Sequence, residues 1–251
     1  MPDDTNNMVQ RADDLEHQQM KELEDKIVTK SLLFQLADGL RTMTFGQGTG
    51  KQLLMGDDPR LPAMPQKPTL QDFFRLRFAV GPTQHLLQSA NLAQKNGLPE
   101  KMVLGCLLHD IAVCGFIRAD HGYWGAQLIE PYVDEEVSWA IRYHQALRFY
   151  PDESVGYPYP ENYIRMFGAD YVPAPYIQAE YERAKQHKWY MSARQICVND
   201  LYSFDPDVKV TLEQFDDVIG RHFKQPKEGL GNDNTPSSHM WRTMIRPANA
   251  L

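Results

Sequence analysis

Residues 104–113 read LGCLLHDIAV. All but His109 and Asp110 are apolar or small, and Leu98-Pro99-Glu100 upstream places a proline where a helix tolerates it, in its first turn. The stretch therefore predicts a buried helix over 99–113. Burying an ionisable side chain is costly unless it is paired, hydrogen-bonded or bound to a metal. Two in succession need a solvent-facing turn or a chemical role.

The surrounding chain sets the fold class. Helical periodicity marks 11–43, 70–79, 83–96, about 121–131, 134–149, 175–203 as one long helix, and 211–223. Asp134-Glu135-Glu136 opens the helix that follows it, as acidic residues favour a helix N-terminus. No run of alternating β-branched residues closed by a hairpin turn is present, so the reading is all-α. Residues 44–70 carry four Gly and four Pro and read as loop. GQGTGK at 46–51 fails as a phosphate loop, because Phe45 stands where the first Gly belongs and Gln52 where Ser or Thr should follow. Residues 151–175, with five Pro and four Tyr, cannot be one regular element. The expected organisation is an N-terminal helical extension and loop over 1–69, a helical domain over 70–225 and an irregular tail over 226–251.

Composition narrows the function. The 251 residues carry a formal net charge of −7, which offers no basic footprint for nucleic acid. No apolar run reaches the ~20 residues of a membrane span. The polar, acidic start resembles neither a signal peptide nor a transit segment. Three widely spaced cysteines without a CxxC read as reduced core thiols, and a cytoplasmic location is expected. The acidic N-terminal helix and the tail could each carry a partner contact, leaving an oligomer open.

Four of the eight histidines lie on successive central helices: His85, His109, His121 and His144. A lone histidine on an apolar face is usually a satisfied core residue. Four in series, one followed by Asp110 and the set completed by Asp200 in RQICVNDLYSF, carry more weight. Imidazole and carboxylate ligands together suit first-row transition metals, and six exceed what a single tetrahedral zinc needs. A carboxylate has two oxygens and can bridge two metals. Neighbouring helical positions point about 100° apart, so His109 and Asp110 can serve one site from different flanks.

The order His85, His109-Asp110, His121, His144, Asp200, at intervals of 24, 12, 23 and 56 residues, resembles the two-metal branch of the HD-domain superfamily. The resemblance covers about 70–225 and implies an HD-domain helical bundle. It also implies that His85, His109 and Asp200 hold one metal, that His121 and His144 hold the second, and that Asp110 bridges. NDLYSFDPD at 199–207 and HQALRFY at 144–150 are similar to segments of the mixed-valent di-iron oxygenases of that superfamily, the inositol and organophosphonate oxygenases. That likeness implies two iron ions, dioxygen and a small polar substrate: a polyol, amino alcohol or phosphonate. The alternative is a phosphohydrolase with manganese or another divalent pair acting on a nucleotide or small phosphoester.

Departures from those relatives are specific. Val113 stands where many members carry Lys. Arg148 takes the place of a lysine that meets the substrate anion, so Asp110 and Arg148 are the residues expected to act. Arg75 and Phe78 replace a Tyr and a Glu that cap the second iron. Residues 151–175 are expected either to wall the metals, with Tyr157, Tyr159 or Tyr163 donating to substrate, or to form a surface loop packed by its own aromatics. Lys188 and Arg194 are weaker substrate candidates, read rather as a solvated face. Trp124, Trp139 and Trp189 read as core, and His187 and His222 as solvent-facing.

Overall fold

The computed structural model describes residues 69–78, 80–114 and 119–224, with Leu15, Gln18, Pro62 and Pro65. The chain divides into two units, Met1–Arg60 and Leu61–Leu251. In the first, only the exposed helical positions Leu15 and Gln18 are described. The helix expected over 11–43, the loop 44–70 apart from Pro62, Pro65 and its last two residues, and the tail beyond Lys224 lie outside the described residues.

The described part of the second unit is helical, with no strand among its described residues. Its helices are α1 (Leu70–Leu76), α2 (Val80–Lys95), α3 (Glu100–Leu108), α4 (Ile111–Cys114), α5 (His121–Ile129), α6 (Glu135–Leu147), α7 (Glu161–Phe167), α8 (Pro175–Lys185), α9 (Tyr190–Leu201) and α10 (Asp216–His222). Short 3-10 turns occupy Glu130–Tyr132, Glu153–Val155 and Leu212–Phe215. Thr69 starts α1 with a capping box, its side chain accepting from Asp72 N–H while Asp72 accepts from Thr69 N–H.

Helix α3 is the innermost element. Met102 to Leu108 are all buried, as expected of a helix apolar all round and surrounded by others. It packs on α2, α6, α9 and α10, while α6 also packs on α5, α8 and α9. Leu86, Leu104, Leu107, Leu108, Ile111, Ile129, Ile141 and Ile196 are fully buried between them. Cys106, Cys114 and Cys197 are buried in this core. No described helix is long and apolar enough to cross a membrane.

Glycine brings α5 against α6. A Cβ on Gly122 would lie 2.9 Å from both Arg142 O and Ile141 O, and main chain cannot swing aside. On α5 His121, Gly122, Gly125, Ala126, Leu128 and Ile129 are buried, whereas Trp124 is 44% exposed. That overturns the core reading of Trp124. Gly122→Ala should cost about 1–3 kcal/mol through overpacking and lower the melting temperature by several degrees. A calorimetric melt within 1 °C of wild type would show that α5 moves away freely.

The helix expected over 175–203 is two helices, broken at 186–189. The break turns His187 onto Trp139, with ring centroids 4.2 Å apart, and sets Trp189 edge-on to the same indole. Aromatic stacking therefore explains both the break and the position of His187, which is half-buried rather than solvent-facing. His222 is half-buried and lies 3.1 Å from Glu100.

Candidate metal centre

His85 comes from α2, His121 and His144 from α5 and α6, Asp200 from the end of α9, and His109-Asp110 from the junction of α3 and α4. The expected continuous helix over 99–113 is interrupted at the doublet. His109 keeps helical torsions (φ −58°, ψ −38°), but its Nδ1 lies 2.7 Å from Cys106 O. In an unbroken helix that carbonyl would accept from Asp110 N–H. A new turn starts at Asp110, whose carbonyl accepts from Val113 and Cys114. Asp120, with φ 52° in the left-handed region that Asp tolerates better than most residues, leads into His121. Its carboxylate accepts from Tyr176 OH at 2.9 Å.

The six side chains converge. His85 Nε2 lies 3.2 Å from His109 Nε2, 3.2 Å from Asp200 Oδ1 and 3.7 Å from Asp110 Oδ2. On the other side His121 Nε2 lies 3.2 Å from His144 Nε2 and 3.1 Å from Asp110 Oδ1. Asp110 thus belongs to two triads, one with His85 and His109, one with His121 and His144, each spaced to hold a metal ion. Asp200 joins the first through Oδ1, 3.6 Å from His109 Nε2.

Tautomers follow from the outer partners. Nδ1 of His109 and His144 faces the carbonyls of Cys106 and Ile141. Nδ1 of His85 faces Ser203 Oγ at 2.8 Å, and that hydroxyl donates to Asp200 O. Each Nδ1 is therefore the donor, and each ring, when neutral, turns an Nε2 lone pair inward. Asp110 Oδ1 is buried and receives no hydrogen bond, although Nε2 of His121, His144 and His109 lie 3.1, 3.6 and 3.7 Å away. An acceptor ringed by acceptors calls for a cation, so the residues present fit a pair of metal ions.

The electrostatics agree. Burial opposes charge on His109, yet the Asp110 and Asp200 carboxylates outweigh it and lift its pKa to about 9. Burial pushes His144 down to about 4, keeping that ring neutral. Burial alone would raise both carboxyls. His109 and its neighbouring imidazoles hold Asp110 well below the usual range, and Arg148, with the histidines, does the same for Asp200. The centre draws positive charge, whether proton or metal.

Arg148 follows α6 at the rim. Its Nη1 lies 3.2 Å from His121 Nε2 and its Nε 3.5 Å from Asp200 Oδ2, and the guanidinium lies 5.2 Å from the Tyr163 ring. Tyr157 is buried and its hydroxyl donates to Arg148 O, so it holds the main chain. Tyr159 OH is buried without a partner. The aromatics of 151–175 pack on one another and on Phe149, which meets Tyr163, Phe167 and Tyr171.

Two of the weaker substrate candidates are spent elsewhere. Arg194 is fully buried, not solvated, donating to Leu147 O and Tyr150 O at 2.9 Å each. It closes the end of α6 and is a structural residue. Lys188 is exposed, its Nζ 4.3 Å from the Trp189 ring. It precedes the start of α9, and at 1.5 Å per residue that start is about 15 Å from Asp200. Arg75 is paired on the surface with Glu213, and Phe78 packs edge-on against Phe74, so neither reaches the centre. Sequence reasoning passed over Ser203, Gln84 and Gln88, described below. The signal was available in part, since Gln84 and Gln88 flank His85 at helical spacing.

Residues 83–172 match a family model described as the HD domain. They include His85, His109, Asp110, His121, His144 and Arg148, while Asp200 lies beyond. A [1-hydroxy-2-(trimethylamino)ethyl]phosphonate dioxygenase (glycine-betaine-forming) of Leisingera caerulea is 34% identical over 77 residues, 27% of this chain and 39% of that protein. The aligned part thus spans about two fifths of that relative's length. Residues 83–172, within a helical unit whose histidines converge, are thus similar to the HD domain, and part of the chain is similar to that phosphonate dioxygenase.

Proposed function

We propose that the protein is a metal-dependent HD-domain enzyme, and specifically a di-iron oxygenase acting on a small polar, anionic substrate such as a phosphonate. The observation that carries the reading is Asp110 Oδ1, buried and unsatisfied between two histidine pairs. His85, His109 and Asp200 would hold one ion, His121 and His144 the other, and Asp110 both. Two iron ions there would supply dioxygen activation for oxidising or cleaving the substrate. The named relative, a phosphonate dioxygenase, supports that chemistry over hydrolysis.

The chain's own contribution is positioning. Arg148 offers a planar, permanently charged fork for a phosphonate or carboxylate. Tyr157 anchors its main chain, and the Tyr163 ring backs its guanidinium. Val113, half-buried after the doublet, adds no second cation beside Arg148.

Anaerobic loading with Fe(II), followed by oxygen uptake over a panel of phosphonates, polyols and amino alcohols, tests this. Expected is uptake above the substrate-free rate for an anionic member of the panel. Arg148→Ala should raise KM for that substrate by about 10–100-fold, the worth of a charge-assisted hydrogen bond, with a smaller change in kcat. Phosphate release from nucleotides with manganese, nickel or magnesium, without oxygen uptake, would replace the oxygenase reading with a phosphohydrolase.

A further inference from the structure

Residues 203–210 run back along α2, on the helix face that carries His85. Gln88 Nε2 donates to Asp205 O and Val208 O at 2.7 and 2.9 Å, and Gln88 Oε1 accepts from Asp205 N–H. One turn earlier, Gln84 exchanges both hydrogen bonds with the main chain of Val210. Between these glutamines, His85 Nδ1 meets Ser203 Oγ at 2.8 Å and Ser203 O at 3.1 Å. Phe204 stacks on the His85 ring, centroids 4.2 Å apart and planes 17° from parallel. Ser203 is itself buried, and its hydroxyl donates to Asp200 O at 2.7 Å.

This differs from His109 and His144, which take their outer partner from their own helix, three residues back. The outer partner of His85 lies 118 residues away in sequence. Ser203 touches both His85 and the main chain of Asp200.

We propose that residues 203–210 form a strap, zipped to α2 by Gln84 and Gln88, in which Ser203 is a positioning residue for one half of the metal centre. Its hydroxyl fixes the tautomer and rotation of His85 and ties it to Asp200, while Phe204 covers the ring. The proposal rests on reading His85 and Asp200 as ligands of one ion, and its consequence is selective: the strap governs one ion's affinity and leaves the His121–His144 half alone.

The test uses the full chain, stripped of metal and titrated with cobalt(II) against a chromophoric chelator. Wild type should bind in two steps. Ser203→Ala should weaken one step by about 10–100-fold, the usual effect of losing an outer partner of a ligand histidine, and leave the other within about threefold. Ser203→Thr, which keeps the hydroxyl, should restore that step. Gln88→Ala, which touches no ligand, should weaken the same step by less. In the cobalt-loaded protein, the hyperfine-shifted Nδ1 proton of His85 should exchange faster with water in Ser203→Ala, where only the main-chain carbonyl of residue 203 is left to accept it, and return to its wild-type rate in Ser203→Thr, a change that mere loss of packing would not produce. Ser203→Ala binding both ions like wild type, or losing both steps equally, overturns the strap. Wild type that binds no cobalt refutes the ligand reading itself, and the strap with it.

Discussion

Asp110→Ala is expected to lose both metal ions together. Asp110 is the one side chain in both triads, with Oδ1 facing the His121–His144 pair and Oδ2 3.7 Å from His85. Removing it leaves inward lone pairs with no negative charge between the two halves. Metal analysis after anaerobic loading should fall from about two equivalents to near none. Activity should drop at least about 10³-fold, since two bound ions stabilise transition-state charge by several kcal/mol and each 1.36 kcal/mol is a factor of ten. The metal-free fold should survive, because Asp110 Oδ1 makes no hydrogen bond that holds it together. Retention of one tightly held ion in the variant would show that the two halves are separate sites.

Arg194→Met should be the most destabilising single change described here. The substitution keeps much of the volume and removes the donors that close the end of α6. Leu147 O and Tyr150 O each lose a charge-assisted hydrogen bond, and Asp152, 3.6 Å from Arg194 Nε, loses its cation. Breaking a buried charged arrangement from one side costs about 3–5 kcal/mol, which for a domain of this size lowers the melting temperature by about 10 °C. Arg194→Lys should recover only part, since one ammonium cannot span both carbonyls and Tyr190 OH, which accepts from Arg194 Nε and Nη2 at 3.2 and 3.0 Å. A shift below 2 °C by differential scanning calorimetry would refute the clamp.

Arg194 also shows where sequence reasoning stops. An arginine six residues before Asp200 on a mixed polar helix reads as surface, because helical spacing says which residues share a face but not what lies opposite. Here the opposing feature is a pair of backbone carbonyls, invisible to side-chain pattern. Trp124 misleads for a related reason: its bulk suggests core, but Gly122 decides which face of α5 meets α6. The all-helical class was readable from periodicity and the lack of strand signals. The six converging side chains were readable because histidines rarely recur on successive apolar helices without a shared purpose. The doublet's geometry was not, since nothing in an apolar run marks that the helix stops at Leu108 and a new turn starts at Asp110.

His85 and Asp200 stand 115 residues apart in the chain, yet their facing atoms are 3.2 Å apart. To a polymer this is a ring closure, costing roughly (3/2)RT ln n, about 4 kcal/mol for a loop of that length. In the folded protein the packing of α2 against α9 has already closed the ring, so an arriving ion meets none of that cost. In the unfolded chain the ion would bear all of it. An ion gripping both residues is therefore a removable cross-link, and the protein's resistance to heat becomes a function of free metal concentration, rising with occupancy and falling when a chelator is added.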